Sequence, residues 1–217
     1  MNRINIAIIT STSGSVMNEL LGIDYFKERV NYVVSDRSCK AIDVGKRNKL
    51  DSRIFESANG TEFSEHLLEF FKDKHVDLFV SFYTRLLDGR FLERYSDKII
   101  NLHPSILPAC PGMDGFGDTI NSKAKFIGST IHFIDSGADT GVPIIQAACP
   151  CDDKLPLDVL RHKIFVQQCR SLLQVIKWFE ERRIKYIDGR VNISGASYNI
   201  GEFSPNLDFD LAINFKA

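Results

Sequence analysis

Residues 3–21 read RINIAIITSTSGSVMNELL, which is a short apolar run, a hydroxyl-rich turn and then a second apolar segment. The run from Arg3 to Thr10 is rich in β-branched residues and lacks polar alternation, as is typical of a strand buried on both faces of a parallel sheet. Val16 to Leu21 has the pattern of a helix. We therefore interpret this stretch as the first βα unit of the fold.

The alternation of strand and helix continues along the chain. We predict strands at 30–35, 75–82, 126–134 and 142–148, and helices at 39–49, 64–74 and 157–182. This order is typical of parallel strands that are joined by right-handed crossovers. The predicted fold class is therefore α/β, a doubly wound, mostly parallel sheet with helices on both faces. Ligands bind such sheets at the carboxyl ends of the strands.

The 217 residues are enough for one large domain with a full-sized core. We predict a catalytic domain over residues 1–183 and a C-terminal extension over residues 184–217. Two short strand candidates flank Asp188-Gly189, which is a hairpin signal. The extension is expected to pack on the same domain.

The composition favours a small-molecule partner. Lys and Arg number 27 against 28 Asp and Glu, so no sequence-wide charge attracts nucleic acid or an anionic membrane. The first apolar run ends at Ile9 and is too short for a signal peptide, from which we expect a cytoplasmic protein. The five cysteines lack paired CxxC spacing, which indicates reduced thiols and no metal site. We expect a monomer or a homodimer.

Asn101 and His103 lie at the end of a predicted strand that leads into a proline-rich loop. Residues two apart in a strand point to the same side, so the two side chains share a face. Pro104 ends the strand pairing and leaves His103 at the rim of the sheet. Taken alone, a histidine in this position is more often a hydrogen-bonded structural residue than a catalyst.

Asp139 is the second candidate, in a turn where Gly137 and Gly141 are expected to permit unusual backbone conformations and close ligand approach. Asx-turn capping explains most aspartates of this kind. An anionic partner for His103, however, would suit proton transfer near neutral pH. The pattern thus leaves a structural and a catalytic interpretation open.

The turn Thr12-Ser13-Gly14-Ser15 lies between the first strand and the first helix. Its amide groups and hydroxyls could hold a phosphate at the helix N-terminus, or a serine could simply cap the helix. The turn lacks the glycine density of a dinucleotide-binding fingerprint, which disfavours a nicotinamide dehydrogenase.

Several stretches together resemble the folate-dependent formyltransferase family. The ordered combination of N-x-H-P-S-x-L-P with a downstream D-x-G is highly specific, whereas its single pieces are weak signals. The matching stretches are NLHPSILP (101–108), Pro111-Gly112, GSTIHF (128–133), Asp139-Thr140-Gly141, IIQ (144–146), SFYTRLL (81–87) and VIKWF (175–179).

The resemblance implies direct formyl transfer from 10-formyltetrahydrofolate to an amine, without a metal. Asn101 and a protonated His103 would stabilise the developing oxyanion, and Asp139 would keep His103 charged and relay a proton. The implied acceptor is glycinamide ribonucleotide or a similar phosphorylated amine. The residues implied to bind folate are Thr84, Arg85, Leu86, Leu87, Ile134, Ala138 and Asp139. Those implied to bind the acceptor are Thr12, Ser13, Gly14, Ser15, Pro104 and Gln168.

The acceptor side departs from the family pattern. Gln168 stands where the ribonucleotide enzymes use a glutamate to receive the substrate amine. The segment from Met113 to Asp118 is unusual in its glycine and aspartate content. Asp114 or Asp118 would supply the missing negative charge, or both are ordinary carboxylates of an exposed turn.

Other functions remain open from the sequence. A sugar-nucleotide amine formyltransferase would share Asn101, His103 and Asp139. From other classes we keep a 10-formyltetrahydrofolate hydrolase and a non-catalytic folate-binding protein. Methionyl-tRNA formylation is disfavoured, because the chain lacks a basic excess for tRNA.

Overall fold

The computed structural model describes residues 3–217. They form two compact units, which we call the N-terminal unit (3–101 with 133–138) and the C-terminal unit (102–132 with 139–217). The first two residues of the predicted catalytic domain lie outside the described part. The proposed boundary at residue 183 remains a prediction.

The N-terminal unit is built on a parallel sheet. Its strands are β1 (Ile6–Thr10), β2 (Val30–Ser35), β3 (Asp51–Ile54), β4 (Leu78–Phe82) and β5 (Ile99–His103), whose last two residues belong to the C-terminal unit. They lie in the order β5-β4-β1-β2-β3, and each neighbouring pair is parallel. This confirms the predicted parallel βα architecture. The short strand β3 was not predicted, because only four residues carry it.

The helices of the N-terminal unit are α1 (Ser15–Leu20), α2 (Asp24–Lys27), α3 (Lys40–Arg47), α4 (Gly60–Phe71) and α5 (Gly89–Tyr95). They cover both faces of the sheet. Val34 packs in the core cluster that holds α4 and α5, whereas Val33 contacts α3 close to Gly45. Consecutive strand residues point to opposite faces, so the two clusters lie on opposite sides.

Aromatic rings fill the core beneath α4 and α5. The ring of Phe79, on β4, lies 5.0 Å from Phe71, 5.3 Å from Phe91 and 4.8 Å from Tyr95, with tilted or edge-on geometry. Each fully buried ring of this size contributes about 2 kcal/mol from burial alone. Helix α4 begins at Gly60, earlier than its apolar stripe predicts, because the Asn59 side chain caps it by accepting from Glu62 N at 2.9 Å.

The C-terminal unit combines an antiparallel sheet with one long helix. Strands β6 (Phe126–Phe133) and β7 (Pro143–Pro150) pair antiparallel, and the two-residue strand β10 (Phe203–Ser204) pairs with β7. Helix α6 (Gly115–Asn121) precedes β6, and α7 (Leu157–Glu180) follows β7. Helix α6 thus includes most of the segment from Met113 to Ile120.

The C-terminal extension contains the predicted hairpin. Strands β8 (Ile184–Ile187) and β9 (Arg190–Ile193) flank Asp188 and Gly189, which both have positive φ (51° and 72°), as a type I′ turn requires. A last helix, α8 (Asp210–Asn214), packs against α7. Asp208 anchors the chain just before it by accepting from Gln174 Nε2 at 2.7 Å and from Trp178 Nε1 at 3.2 Å.

Within residues 3–217, no helix combines the length and the apolarity needed to cross a bilayer.

Gly14 decides the geometry of the first βα turn. Its φ is 68°, and a Cβ placed on it would lie 2.7 Å from the Cβ of Ala41. We expect Gly14→Ala to lower the free energy of unfolding by about 3 kcal/mol, through left-handed strain and overlap combined. Urea denaturation measures this. Gly189→Ala is the matched control, because Gly189 has φ 72° and a Cβ there would meet nothing within 4 Å. An equal cost for both variants would show that the contact with Ala41 is unimportant.

Candidate active site

The predicted pair of His103 and Asp139 lies within the C-terminal unit. His103 Nδ1 is 3.4 Å from Asp139 Oδ2, and the histidine side chain is only 4% exposed. Asn101 lies two residues before His103 on β5, so its side chain leaves the strand on the same side. The strand end and the downstream aspartate therefore meet as the sequence predicts.

A tight loop fixes both members of this pair. The carbonyl oxygen of Cys110 lies 2.8 Å from His103 Nε2, so this nitrogen carries the hydrogen. Gly112 N donates to Asp139 Oδ2 at 2.7 Å. A side chain on Gly115 would overlap the imidazole ring, which explains why glycine begins α6. Nδ1 is thus the ring nitrogen that faces the carboxylate.

The unusual backbone of the Asp139 turn is at Asp139 itself. Its φ is 56°, in the left-handed region that aspartate tolerates better than most residues. Gly137 and Gly141, which we expected to provide this freedom, are not among the described residues with positive φ. The left-handed bend therefore does not depend on a glycine here, and the expected close approach of a ligand at Gly137 and Gly141 stays a prediction.

A second histidine faces the same carboxylate. His132, at the end of β6, has its Nε2 3.5 Å from Asp139 Oδ1, and its side chain is 2% exposed. Sequence reasoning gave His132 no role, although it lies in the GSTIHF stretch. The alternation of β6, which brings Thr130 and His132 to one face, is the signal that could have indicated it.

Thr130 and Gln146 hold the proline-rich loop that follows His103. Thr130 Oγ1 donates to the carbonyl of Ser105 at 2.8 Å and accepts from Leu107 N at 3.0 Å. Gln146 Nε2 donates to the carbonyl of Leu107 at 2.7 Å. Prolines have no N–H to continue the hydrogen bonds between strands, and these side chains bind the backbone groups of the loop instead. They are positioning residues that the sequence did not identify.

The residues expected on the acceptor side are placed as follows. Pro104 is half-buried directly after His103, and Gln168, on α7, donates from Nε2 to the carbonyl of Leu102 at 3.5 Å. Asp114 accepts from Gly117 N at 3.1 Å and so caps α6. This contact favours the interpretation of Asp114 as an ordinary turn carboxylate. The Asp118 side chain is exposed.

The expected phosphate turn lies in the N-terminal unit. Gly14 is the N-cap residue of α1, and no side chain caps this helix, so the alternative of a serine cap was wrong. Ser13 and Ser15 are exposed at the turn. Ala41 N donates a hydrogen bond to the carbonyl of Thr12 at 3.4 Å.

The expected folate residues Thr84 to Leu87 follow β4 in the same unit. Thr84 N donates to Ser11 Oγ at 3.1 Å, and the side chain of Leu87 is buried in the aromatic core. Leu86 is 53% exposed. Ile134 packs on the same core cluster, and Ala138 is exposed at the end of the neighbouring loop.

A buried carboxylate lies beside this segment. Asp36, directly after β2, has a side chain with no exposed surface. It accepts from Arg37 Nε and Nη2 at 2.7 Å each, from Tyr83 Oη at 3.1 Å and from Arg85 Nη1 at 3.0 Å. Sequence reasoning missed it, because Asp36-Arg37 has the pattern of an ordinary polar turn.

Burial alone would raise the pKa of Asp36, but the hydrogen bonds from Arg37 and Tyr83 and the charges of Arg37 and Arg85 outweigh it. The pKa therefore lies below its ordinary value. The stabilisation is present above the pKa of the unfolded chain and is lost as the pH falls through the folded pKa. Burial and the charge of Asp36 raise the pKa of Tyr83, which stays a neutral hydrogen-bond donor.

Among residues 3–217, the structure contains no group of three or more His, Cys, Asp or Glu side chains that could hold a metal ion.

Comparison with known proteins identifies the family of the chain. A family profile described as formyl transferase matches residues 4–176. The chain belongs to the formyl transferase family. It is 35% identical over 142 residues to phosphoribosylglycinamide formyltransferase of Bacillus subtilis strain 168, an alignment that covers 64% of this chain and 73% of the relative. A Mycobacterium tuberculosis protein of the same name is 27% identical over 202 residues, covering 90% and 94%.

The fold comparison gives the same result. The crystal structure of glycinamide ribonucleotide transformylase 1 from Symbiobacterium toebii superposes with a TM-score of 0.81 and 30% identity, covering 88% of this formyl transferase and 94% of that chain. The predicted α/β class is thereby confirmed. The family uses formyltetrahydrofolate as its co-substrate, as the sequence predicted.

The hydrogen bonds of Thr130 generate a stability prediction. Thr130→Val keeps the shape of the side chain but leaves Leu107 N and the carbonyl of Ser105 without this partner in a buried place. We expect the free energy of unfolding to fall by about 2–3 kcal/mol, measured by urea denaturation. Thr119→Val is the matched control, because the Thr119 hydroxyl donates only to Gly115 O within its own helix. If both variants cost the same, Thr130 does not hold the loop.

Proposed function

We propose that this formyl transferase moves the formyl group of 10-formyltetrahydrofolate onto the primary amine of glycinamide ribonucleotide. The observation that carries the proposal is the 3.4 Å contact between His103 Nδ1 and Asp139 Oδ2, at a strand end and a turn whose sequences match the family pattern. The names of the relatives that align over most of their length support this acceptor.

The reaction needs a group that stabilises negative charge on oxygen. When the amine nitrogen attacks the formyl carbon, the carbonyl oxygen becomes an oxyanion. We assign its stabilisation to the amide of Asn101 and to the positive charge of a protonated His103. Cys110 and Gly112 keep the imidazole and the carboxylate oriented, so little reorganisation is needed as the charge develops.

The second half of the reaction moves a proton. The tetrahedral intermediate collapses when its bond to the folate nitrogen breaks, and that nitrogen takes up the proton which the amine has lost. We assign this relay to Asp139, which accepts from the amine directly or through one water. His132 is then a positioning residue that faces the other carboxylate oxygen. The products are the formamide and tetrahydrofolate.

We propose that the two substrates use the residues expected from the resemblance. Folate binds Thr84, Arg85, Leu86, Leu87, Ile134, Ala138 and Asp139, and the acceptor binds Thr12, Ser13, Gly14, Ser15, Pro104 and Gln168. Because Gln168 Nε2 donates to the carbonyl of Leu102, its Oε1 is the atom that accepts a hydrogen from the neutral amine. We also keep the cytoplasmic location as a proposal.

The test is to incubate the purified protein with 10-formyltetrahydrofolate, with and without glycinamide ribonucleotide. We expect tetrahydrofolate to form only when the amine is present. Release without any amine would identify a hydrolase. Formation of tetrahydrofolate with an aminosugar nucleotide, but not with the ribonucleotide, would contradict the proposed acceptor. No formation of tetrahydrofolate with any amine would favour a non-catalytic folate-binding protein.

The catalytic assignment is tested with His103→Asn. We expect kcat to fall by about a hundred- to a thousandfold, because the variant loses the charged donor to the oxyanion. Folate binding, followed by fluorescence titration, is expected to change little. His75→Asn is the control, since His75 is 72% exposed and lies outside the proposed site. A near-normal kcat for His103→Asn would overturn the mechanism.

A further inference from the structure

The contacts of Asp36 join three loops of the N-terminal unit. Asp36 follows β2, Tyr83 and Arg85 follow β4, and Arg85 also donates from Nη1 to the carbonyls of Ser57 and Ala58, just before α4, at 3.2 and 3.1 Å. The segment Thr84–Leu87 belongs to the second of these loops. One buried carboxylate therefore fixes the guanidinium that connects them.

The segment Thr84–Leu87 is braced at each of its residues apart from the Leu86 side chain. Ser11 holds Thr84, and the core holds Leu87. The carbonyl of Leu86 lies so close to Gly60 that a side chain there would overlap it. At Arg85, the brace is Asp36. The Leu86 residue is 53% exposed and the Arg85 side chain 38% exposed, so the segment is open to a ligand at these two residues.

The charge of Asp36 is essential to this brace. The carboxylate accepts four hydrogen bonds, two of them from Arg37, whereas an asparagine has one acceptor oxygen and an NH₂ group that cannot accept. Substitution would also leave two guanidinium groups without a common counter-charge. Arg37 makes shorter contacts with residue 36 than Arg85 does, so we expect the substitution to break the hydrogen bond from Arg85 first.

We propose that Asp36 is a positioning residue for folate, which acts by holding Arg85 and so fixes the peptide groups of Thr84–Leu87. This inference rests on the proposed function, in which the segment binds 10-formyltetrahydrofolate. It gives the Arg85 side chain the role of a brace, and the backbone beside it the role of the ligand contact.

Asp36→Asn tests the proposal. We expect the KM for 10-formyltetrahydrofolate to rise by about tenfold, while kcat and the KM for glycinamide ribonucleotide stay within about twofold of the parent protein. A merely structural role would not separate the two KM values. The double variant Asp36→Asn with Arg85→Lys is expected to raise the folate KM no further than the single variants do, because both act on one contact.

Asp77→Asn is the matched control. Asp77 accepts from Asn5 N at 2.8 Å and faces His75 Nε2 at 2.9 Å, at the amino end of β4, the opposite end of the strand from Tyr83. Its loss is expected to lower the melting temperature without changing the folate KM. If Asp36→Asn fails to fold, Tyr83→Phe removes one donor to the same carboxylate and is expected to raise the folate KM by about two- to threefold.

The outcomes separate this inference from the proposed function. An unchanged folate KM in Asp36→Asn and in Tyr83→Phe, with normal amine-dependent transfer by the parent protein, would overturn the role of Asp36 alone. A rise in both KM values together would also overturn it, since the effect would then be general. Absence of transfer by the parent protein would instead contradict the proposed function.

Discussion

The contact between His103 and Asp139 depends on a short loop that contacts both residues at once. Cys110 accepts from one ring nitrogen, and Gly112 donates to the carboxylate that faces the other. A histidine with two rotatable bonds and an aspartate in a turn would otherwise have several orientations. The prolines matter for the same reason, because they prevent the chain after β5 from continuing as a strand and leave its carbonyls to be bound by side chains.

Each unit has a buried or nearly buried carboxylate outside its helices and strands. Asp139 in the C-terminal unit is exposed over 15% of its side chain, and its contacts are two histidines and a backbone amide. Asp36 in the N-terminal unit is fully buried and surrounded by two guanidinium groups and a phenol. Arginine partners hold the Asp36 carboxylate ionised and fixed in place, whereas imidazole partners are consistent with the proton relay that we propose for Asp139.

Much of the fold was predictable because its signals are local. The buried run from Arg3 to Thr10, the helix of 24 residues from Leu157 and the Asp188-Gly189 hairpin follow from apolar periodicity and turn chemistry. Strand β3 and helix α8 were not predicted. They have four and five residues, and tertiary contacts stabilise them more than their own sequence does.

The site was predictable only in part, for a related reason. Asn101, His103 and Asp139 were identified from a motif. The contact of His132 with Asp139 is made across a turn, and Asp36 contacts side chains that lie far away in the sequence. Arg85 lies 49 residues from Asp36, and positions of this kind carry no periodic signal.

The residues proposed to bind the acceptor show how a departure from the expected family pattern can be accommodated. A glutamate in place of Gln168 would direct a negative charge towards the carbonyl of Leu102. The Gln168 amide instead donates a hydrogen bond to this carbonyl. At the same time Asp114 caps α6, whose first residue must be glycine to clear the imidazole of His103. Gly115, in the glycine-rich sequence after Pro111, is therefore required by its close packing on His103. This glycine is a steric consequence of that contact and does not by itself indicate a different reaction.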